Sequence, residues 1–190
     1  MEEMLQFLNL LHPMSAELQI TLMQVFQREV HRPNKNILSE GEVCDWVAFV
    51  EKGLLKAYIE LDDGTERVIW YRKAGEVISS VGSFHHRSPT QFAIRTIEET
   101  HLRKISRSVL ENLYDRFPGL NVHARLLLQG CCSESEQRTI DGCFSLKERY
   151  RKLHEQESWL LFDPRIRDYM LAAYLNVDKA TFSRFKGKKY

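Results

Sequence analysis

The sequence predicts an α+β protein: an antiparallel, jelly-roll-like β-roll, then one long helix, then a small helical domain. Three observations carry that prediction. From Val30 to about Ile105 apolar residues recur at every second position and glycines punctuate the runs, the mark of short antiparallel strands. After Ser106 the apolar period becomes helical. Near the C-terminus two short apolar stripes of helical spacing flank Asn176, a residue that tolerates a left-handed turn. A chain of 190 residues, 43% hydrophobic and 28% charged, can bury one good core and a small second one. We expect residues 1–117 to form the roll, 118–144 the long helix and 145–190 the last domain.

The elements follow in order. Ser15 is a plausible N-cap after Pro13, and Leu18, Leu22 and Val25 then share one face of a short helix running to Phe26. Six strands are readable: Asn36 to Leu38, Asp45 to Glu51, Leu55 to Leu61, Thr65 to Arg72, Phe92 to Ile97 and His101 to Ile105. In the third of these, Leu55, Ala57, Ile59 and Leu61 alternate with Lys56, Tyr58 and Glu60. Asp62-Asp63-Gly64 closes that run as a hairpin turn, because glycine accepts a positive φ without a Cβ penalty. Ser106 is the next N-cap, Leu110 and Leu113 share a face, and Phe117-Pro118 ends that helix.

The long helix runs from Leu120 to about Cys143. Leu120, Ala124, Leu127 or Leu128, and Cys131 form a seam that either meets a second copy of the chain or packs on its own roll. Ser145-Leu146-Lys147-Glu148 has the capping-box pattern and starts a further helix that runs to about Glu157, before the apolar Trp159 to Phe162 and the break at Asp163-Pro164.

Composition excludes several classes. No apolar run approaches the roughly 18–20 residues of a membrane span, and Met-Glu-Glu-Met is acidic where a signal peptide is basic, so we expect a cytoplasmic protein with no membrane partner. Cys44, Cys131, Cys132 and Cys143 contain no Cys-x-x-Cys, so we expect ordinary thiols and no metal. Neither Gly-x-Ser-x-Gly, His-Glu-x-x-His nor a phosphate-cradling Gly-x-x-x-x-Gly-Lys occurs, and no enzyme activity is expected. The net charge of +1 hides an asymmetry. From Pro164 onward seven Lys or Arg face two Asp, a balance of +5, which leaves −4 on the rest. A basic end of this kind suits an anionic partner, nucleic acid above all, or is a solvated lysine-rich tail.

Asp168 to Gly187 decides between those two. A helix-turn-helix needs a small residue where its helices cross, a turn residue tolerant of left-handed φ, a cap for the second helix and apolar residues at fixed offsets. Ala172, Asn176, Asp178 and the set Leu171, Leu175, Val177, Phe182 and Phe185 meet all four needs. With both phenylalanines inward, Ala180, Ser183, Arg184 and Gly187 fall on the outward face, slim enough for a major groove. We expect Arg184 and Ser183 to contact bases, with Ala180 between them, and Lys179, Thr181, Lys186 and Lys188 to sit nearer phosphates. The competing reading is a helical hairpin that serves as a protein-interaction lid.

A glycine-punctuated β-roll, a long helix, a capped helix and the run Leu171-Ala172-x-x-Leu175-Asn176-Val177 with Thr181-Phe182-Ser183-Arg184 resemble, in that order, the Crp/Fnr family of bacterial transcription regulators. The resemblance covers essentially the whole chain. It implies a homodimer joined along the long helix, double-stranded DNA as partner, RNA polymerase as a further partner, and an effector pocket in the roll. Cyclic-AMP-binding members carry a Gly-Glu near the start of a phosphate cassette and an Arg-Ser near its end. Gly75-Glu76 matches the first pair, whereas Thr90-Gln91 stands where Arg-Ser belongs. Without that arginine a cyclic phosphate loses its bidentate counter-charge, so cyclic AMP is not expected to be the effector. Arg87 is the candidate substitute. The N-terminal cysteine clusters of iron–sulfur members are missing, and His85-His86 are expected in an exposed loop, so no cofactor is implied.

Overall fold

The computed structural model describes residues 1–187. They divide into two compact units, Met1–Ala57 with Tyr71–Cys131, and Tyr58–Trp70 with the chain from Cys132 onward.

The first unit opens with α1 (Glu2–Leu11) and α2 (Ala16–Val25). Ser15 caps α2, its hydroxyl accepting from the Leu18 N–H at 3.2 Å. Helix α1 was not anticipated: its acidic start argues only against a signal peptide. Met4 and Leu8 of α1, four apart on one face, pack with Leu18 and Leu22 of α2 and with Phe49, Ile105, Leu113 and Leu120 in one buried cluster.

The roll comprises β1 (Gln27–His31), β2 (Asn36–Leu38), β3 (Trp46–Lys52), β4 (Leu54–Glu60), β5 (Glu66–Lys73), β6 (Val77–Ile78), helix α3 (Val81–His86), β7 (Ala93–Thr96) and β8 (Thr100–Ser106). They form two four-stranded sheets, ordered β1-β8-β3-β6 and β2-β7-β4-β5. Three of these elements were not read from the sequence. β1 and β6 are too short or too exposed to show a period, and α3 has only six residues. His85 and His86 are exposed as expected, but they end α3 and do not lie in a loop.

Strand β4 corrects the expected alternation. Leu55 and Ala57 are fully buried, yet Tyr58 on the opposite face is buried too and Ile59 is half-exposed. A strand covered on both faces loses its period of two. The turn after it is as expected: Gly64 has φ +76° and donates to the Leu61 carbonyl at 2.8 Å, while Asp63 accepts from the Thr65 N–H at 2.8 Å. Gly53, between β3 and β4, is required by space as well as by φ. A Cβ there would lie 2.8 Å from the Thr100 Cα.

Helix α4 (Arg107–Arg116) is capped by Ser106, and α5 (Leu120–Gly142) follows. Leu120 is buried in the cluster above, so it is not part of an open seam. Ala124, Leu127 and Leu128 are half-exposed and Cys131 is exposed. In the second unit come α6 (Leu146–Gln156), α7 (Trp159–Phe162), α8 (Asp168–Tyr174) and α9 (Lys179–Gly187). The capping box at Ser145 and Glu148 is formed in both directions. Arg138 of α5 ties this unit together: its Nη2 donates to the Val68 carbonyl of β5 at 3.4 Å and to the Tyr174 carbonyl at 3.1 Å, and its guanidinium lies 3.8 Å from the Tyr174 ring centroid. The Tyr174 hydroxyl donates to Glu157 at 2.5 Å, and burial pushes its pKa well above the ordinary value. Arg149 adds a bond from its Nη1 to the Leu175 carbonyl, so the carboxyl end of α8 is held by two cations. No helix among the described residues is long and apolar enough to cross a membrane.

Candidate nucleic-acid interface and effector cassette

Helices α8 and α9 are joined by a tight turn at Leu175 to Asp178, and local chemistry explains each residue of it. Asn176 has φ +53°, the left-handed conformation for which it was singled out. Val177 N–H donates back to the Ala172 carbonyl at 3.0 Å, and Leu175 N–H to Leu171 at 2.8 Å, so orphan carbonyls at the end of α8 are used. Ala172 is 2% exposed, and a small residue there leaves room for the neighbouring chain. Leu171, Leu175 and Phe182 are buried, and Val177 and Phe185 are half-buried. Tyr150 of α6 closes this small core, its ring 6.1 Å from Phe182 and 5.2 Å from Phe185.

Burying Phe182 fixes what α9 presents to solvent. Lys179, Ala180, Ser183, Arg184, Lys186 and Gly187 are exposed, and Thr181 is half-exposed. Two of these already have partners within the chain. Thr181 does not offer a loose hydroxyl, because it is bound into the cap: its N–H donates to Asp178 Oδ1 and its hydroxyl to Oδ2, both at 2.7 Å. Those bonds hold the Asp178 carboxyl below the usual carboxylate value. Lys186 is paired with Asp168 across the two helices at 2.7 Å, so its charge is shared. Lys188 lies outside the described residues.

The cassette belongs to the first unit. Gly75 turns with φ +91° and donates to the Val50 carbonyl at 2.9 Å, and the Glu76 carbonyl accepts from the Val50 N–H at 2.9 Å. The Glu76 carboxylate folds back on its own turn, accepting from the Lys73 N–H at 2.7 Å. Thr90 is 4% exposed, and its hydroxyl meets the Ser80 hydroxyl at 3.0 Å and donates to the Phe92 carbonyl at 3.2 Å. Gln91 is exposed. Arg87 does not turn toward these groups: it is largely exposed and lies 3.7 Å from Glu111 of α4. The structure thus brings Thr90 together with Ser80, while Arg87 goes elsewhere.

Three partners in this region escaped sequence reading. Ser83 accepts from the Cys44 N–H at 2.8 Å and donates to the Ser88 carbonyl at 2.5 Å. Ser80 completes the bond to Thr90. Arg107 of α4 donates to the carbonyls of Phe84 and His85 at the end of α3 and pairs with Glu111 at 2.7 Å. The bonds from Ser83 to Cys44 and from Arg107 to α3 join residues far apart in the chain, and no local pattern marks them.

The family model of the cyclic nucleotide-binding domain matches residues 28–117. We found no match among curated proteins. Among solved structures, FixK2 from Bradyrhizobium japonicum is 22% identical over 86% of this chain and 84% of its own, with a TM-score of 0.71. CLP, a c-di-GMP-responsive global regulator of Xanthomonas campestris, is 19% identical over 92% and 91%, with a TM-score of 0.74. A protein of Eubacterium rectale assigned to the Crp/Fnr family is 14% identical over 94% and 85%, with a TM-score of 0.73. The roll is therefore of the cyclic nucleotide-binding type. With its C-terminal helices, the chain has the fold of the Crp/Fnr regulators.

Proposed function

We propose that this chain is a cytoplasmic transcription regulator that binds palindromic double-stranded DNA as a homodimer through α8, its turn and α9. The observation that carries the proposal is the two-sidedness of α9. Phe182 is 1% exposed on one side, while Ala180, Ser183, Arg184 and Gly187 lie open on the other. A slim helical face with one long donor group is what a major groove admits. Ser183 and Arg184 then read base edges, and Lys179 sits near phosphates. Ala124, Leu127 or Leu128, and Cys131 of α5, all at least half-exposed, are the dimer seam, and RNA polymerase is the partner such a regulator serves.

The roll of this regulator does not respond to cyclic AMP. Ser80 and Thr90 satisfy each other where a phosphate would need a cation, and an unpaired buried anion costs several kcal/mol.

Fluorescence polarisation of the full chain on random duplexes at two salt concentrations tests the proposal. Binding that weakens steeply between about 50 and 200 mM salt is expected. No binding at either salt would overturn it and leave a protein that keeps the fold without the DNA partner. Light scattering at micromolar concentration should give twice the chain mass.

A further inference from the structure

The arginine on the open face of α9 is already held by its own helix. Its Nε donates to the Ala180 carbonyl at 3.4 Å and its Nη2 to the Thr181 hydroxyl oxygen at 3.3 Å. That hydroxyl has a single proton, and the Asp178 carboxylate takes it at 2.7 Å. A carboxylate can only accept, so the polarity of the relay is fixed: Thr181 must give its proton to Asp178 and offer a lone pair to Arg184. The guanidinium has five N–H donors in a rigid plane. Its side edge, Nε with one N–H of Nη2, is spent inside the helix, and its far edge, Nη1 with the second N–H of Nη2, makes no bond among the described residues.

We propose that Asp178 and Thr181 lock Arg184 so that the far edge of its guanidinium reads one guanine in each half-site, with Thr181 the positioning residue that sets this preference. The inference rests on the DNA-binding reading above and names what that face selects. Guanine presents two adjacent acceptors, O6 and N7, to the major groove, and an in-plane pair of donors matches them. Adenine presents one acceptor and one donor, so the same pair meets a mismatch. A locked side chain also loses less rotamer freedom on docking than a free one. The held carboxylate of Asp178 agrees with this arrangement, since it keeps its charge and its acceptor role.

The test is selection of bound duplexes from a randomised pool by the full chain, followed by affinity for the selected duplex and for its single-position variants. Wild type should enrich guanine at one position per half-site. Thr181→Val keeps the side-chain shape and the backbone cap but removes the hydroxyl, and should cut the guanine-over-adenine ratio at that position by about fivefold or more. Thr181→Ser keeps the hydroxyl and should retain the ratio. Asp178→Asn, a good cap that presents an amide, should also lower the ratio, and it serves should Thr181→Val fold poorly in a melting curve. The ratio, and not the affinity alone, is the readout, because a loose cap would weaken all duplexes together. An unchanged ratio in both Thr181→Val and Asp178→Asn, beside a lost ratio in Arg184→Ala, overturns the positioning role. A wild type that binds duplexes with no guanine preference overturns the inference and spares the DNA-binding reading. A wild type that binds no duplex overturns both.

Discussion

The stretch from Ser79 to Thr90 and helix α9 each carry hydroxyl side chains and an arginine, yet they end in opposite states. In the cassette the hydroxyls close on the chain itself, Ser80 on Thr90 and Ser83 on Ser88, and Arg107 of α4 takes a carbonyl of α3. On α9 one relay spends Thr181 and half of Arg184, and the rest of the face stays open. The contrast shows that polar residue types do not make a binding surface by themselves. What decides is whether the chain's own fold brings a partner for each group, since a group already satisfied gains little from a ligand.

Removing the floor under the open face should have the largest effect. Phe182→Ala deletes a fully buried ring and should cost about 3–5 kcal/mol in chemical denaturation, with duplex binding lost at every salt. Retained binding would detach α9 from DNA recognition. Arg184→Ala should then cost roughly 1–3 kcal/mol on a selected duplex, while Lys179→Ala weakens selected and random duplexes alike. Equal losses for both would reduce Arg184 to a phosphate contact.

Smaller effects sharpen the same contrast. Asn176→Ala places a β-carbon at φ +53° and should destabilise by about 1 kcal/mol, whereas Asn176→Gly should be near neutral; thermal melting separates them. Because the Asp178 carboxyl is held below its ordinary value, its cap is complete above the unfolded value of about 3.9 and fades as pH falls through the folded one. Acid should therefore fray α9 below about pH 4, visible as lost helical circular dichroism and absent in Asp178→Asn. On the cassette side the expected effect is nil. Calorimetry with cyclic AMP up to about 1 mM should show no binding, and a dissociation constant near 1 μM, worth about −8 kcal/mol, would reverse the comparison.

Features set by a few neighbouring residues were legible in the sequence. Asn176 in the turn, Ser145 with Glu148, the caps at Ser15 and Ser106, and the Asp-Gly hairpin each draw their conformation from residues within about one turn of chain. The outward face of α9 was legible for the same reason, since burying Phe182 and Phe185 fixes it by helical period alone. Features set across the fold were not. Leu120 looks like the head of a surface seam until α1 and α2 cover it, and Tyr58 looks outward until its strand is buried on both faces. The resemblance places Thr90-Gln91 where Arg-Ser is expected, and only the fold reveals that the Thr90 hydroxyl meets that of Ser80.

Arg138 carries a consequence for how the second unit opens. One guanidinium serves the Val68 carbonyl on a β-strand, the Tyr174 carbonyl at the end of α8, and the Tyr174 ring. A fluctuation that frees α8 also strips that cation of its ring and one acceptor, and a fluctuation that peels away the strand strips it of the other. The two segments, more than a hundred residues apart in the chain, then share one opening reaction. Their slowest amide protons should exchange with solvent at a common rate, as a single cooperative block.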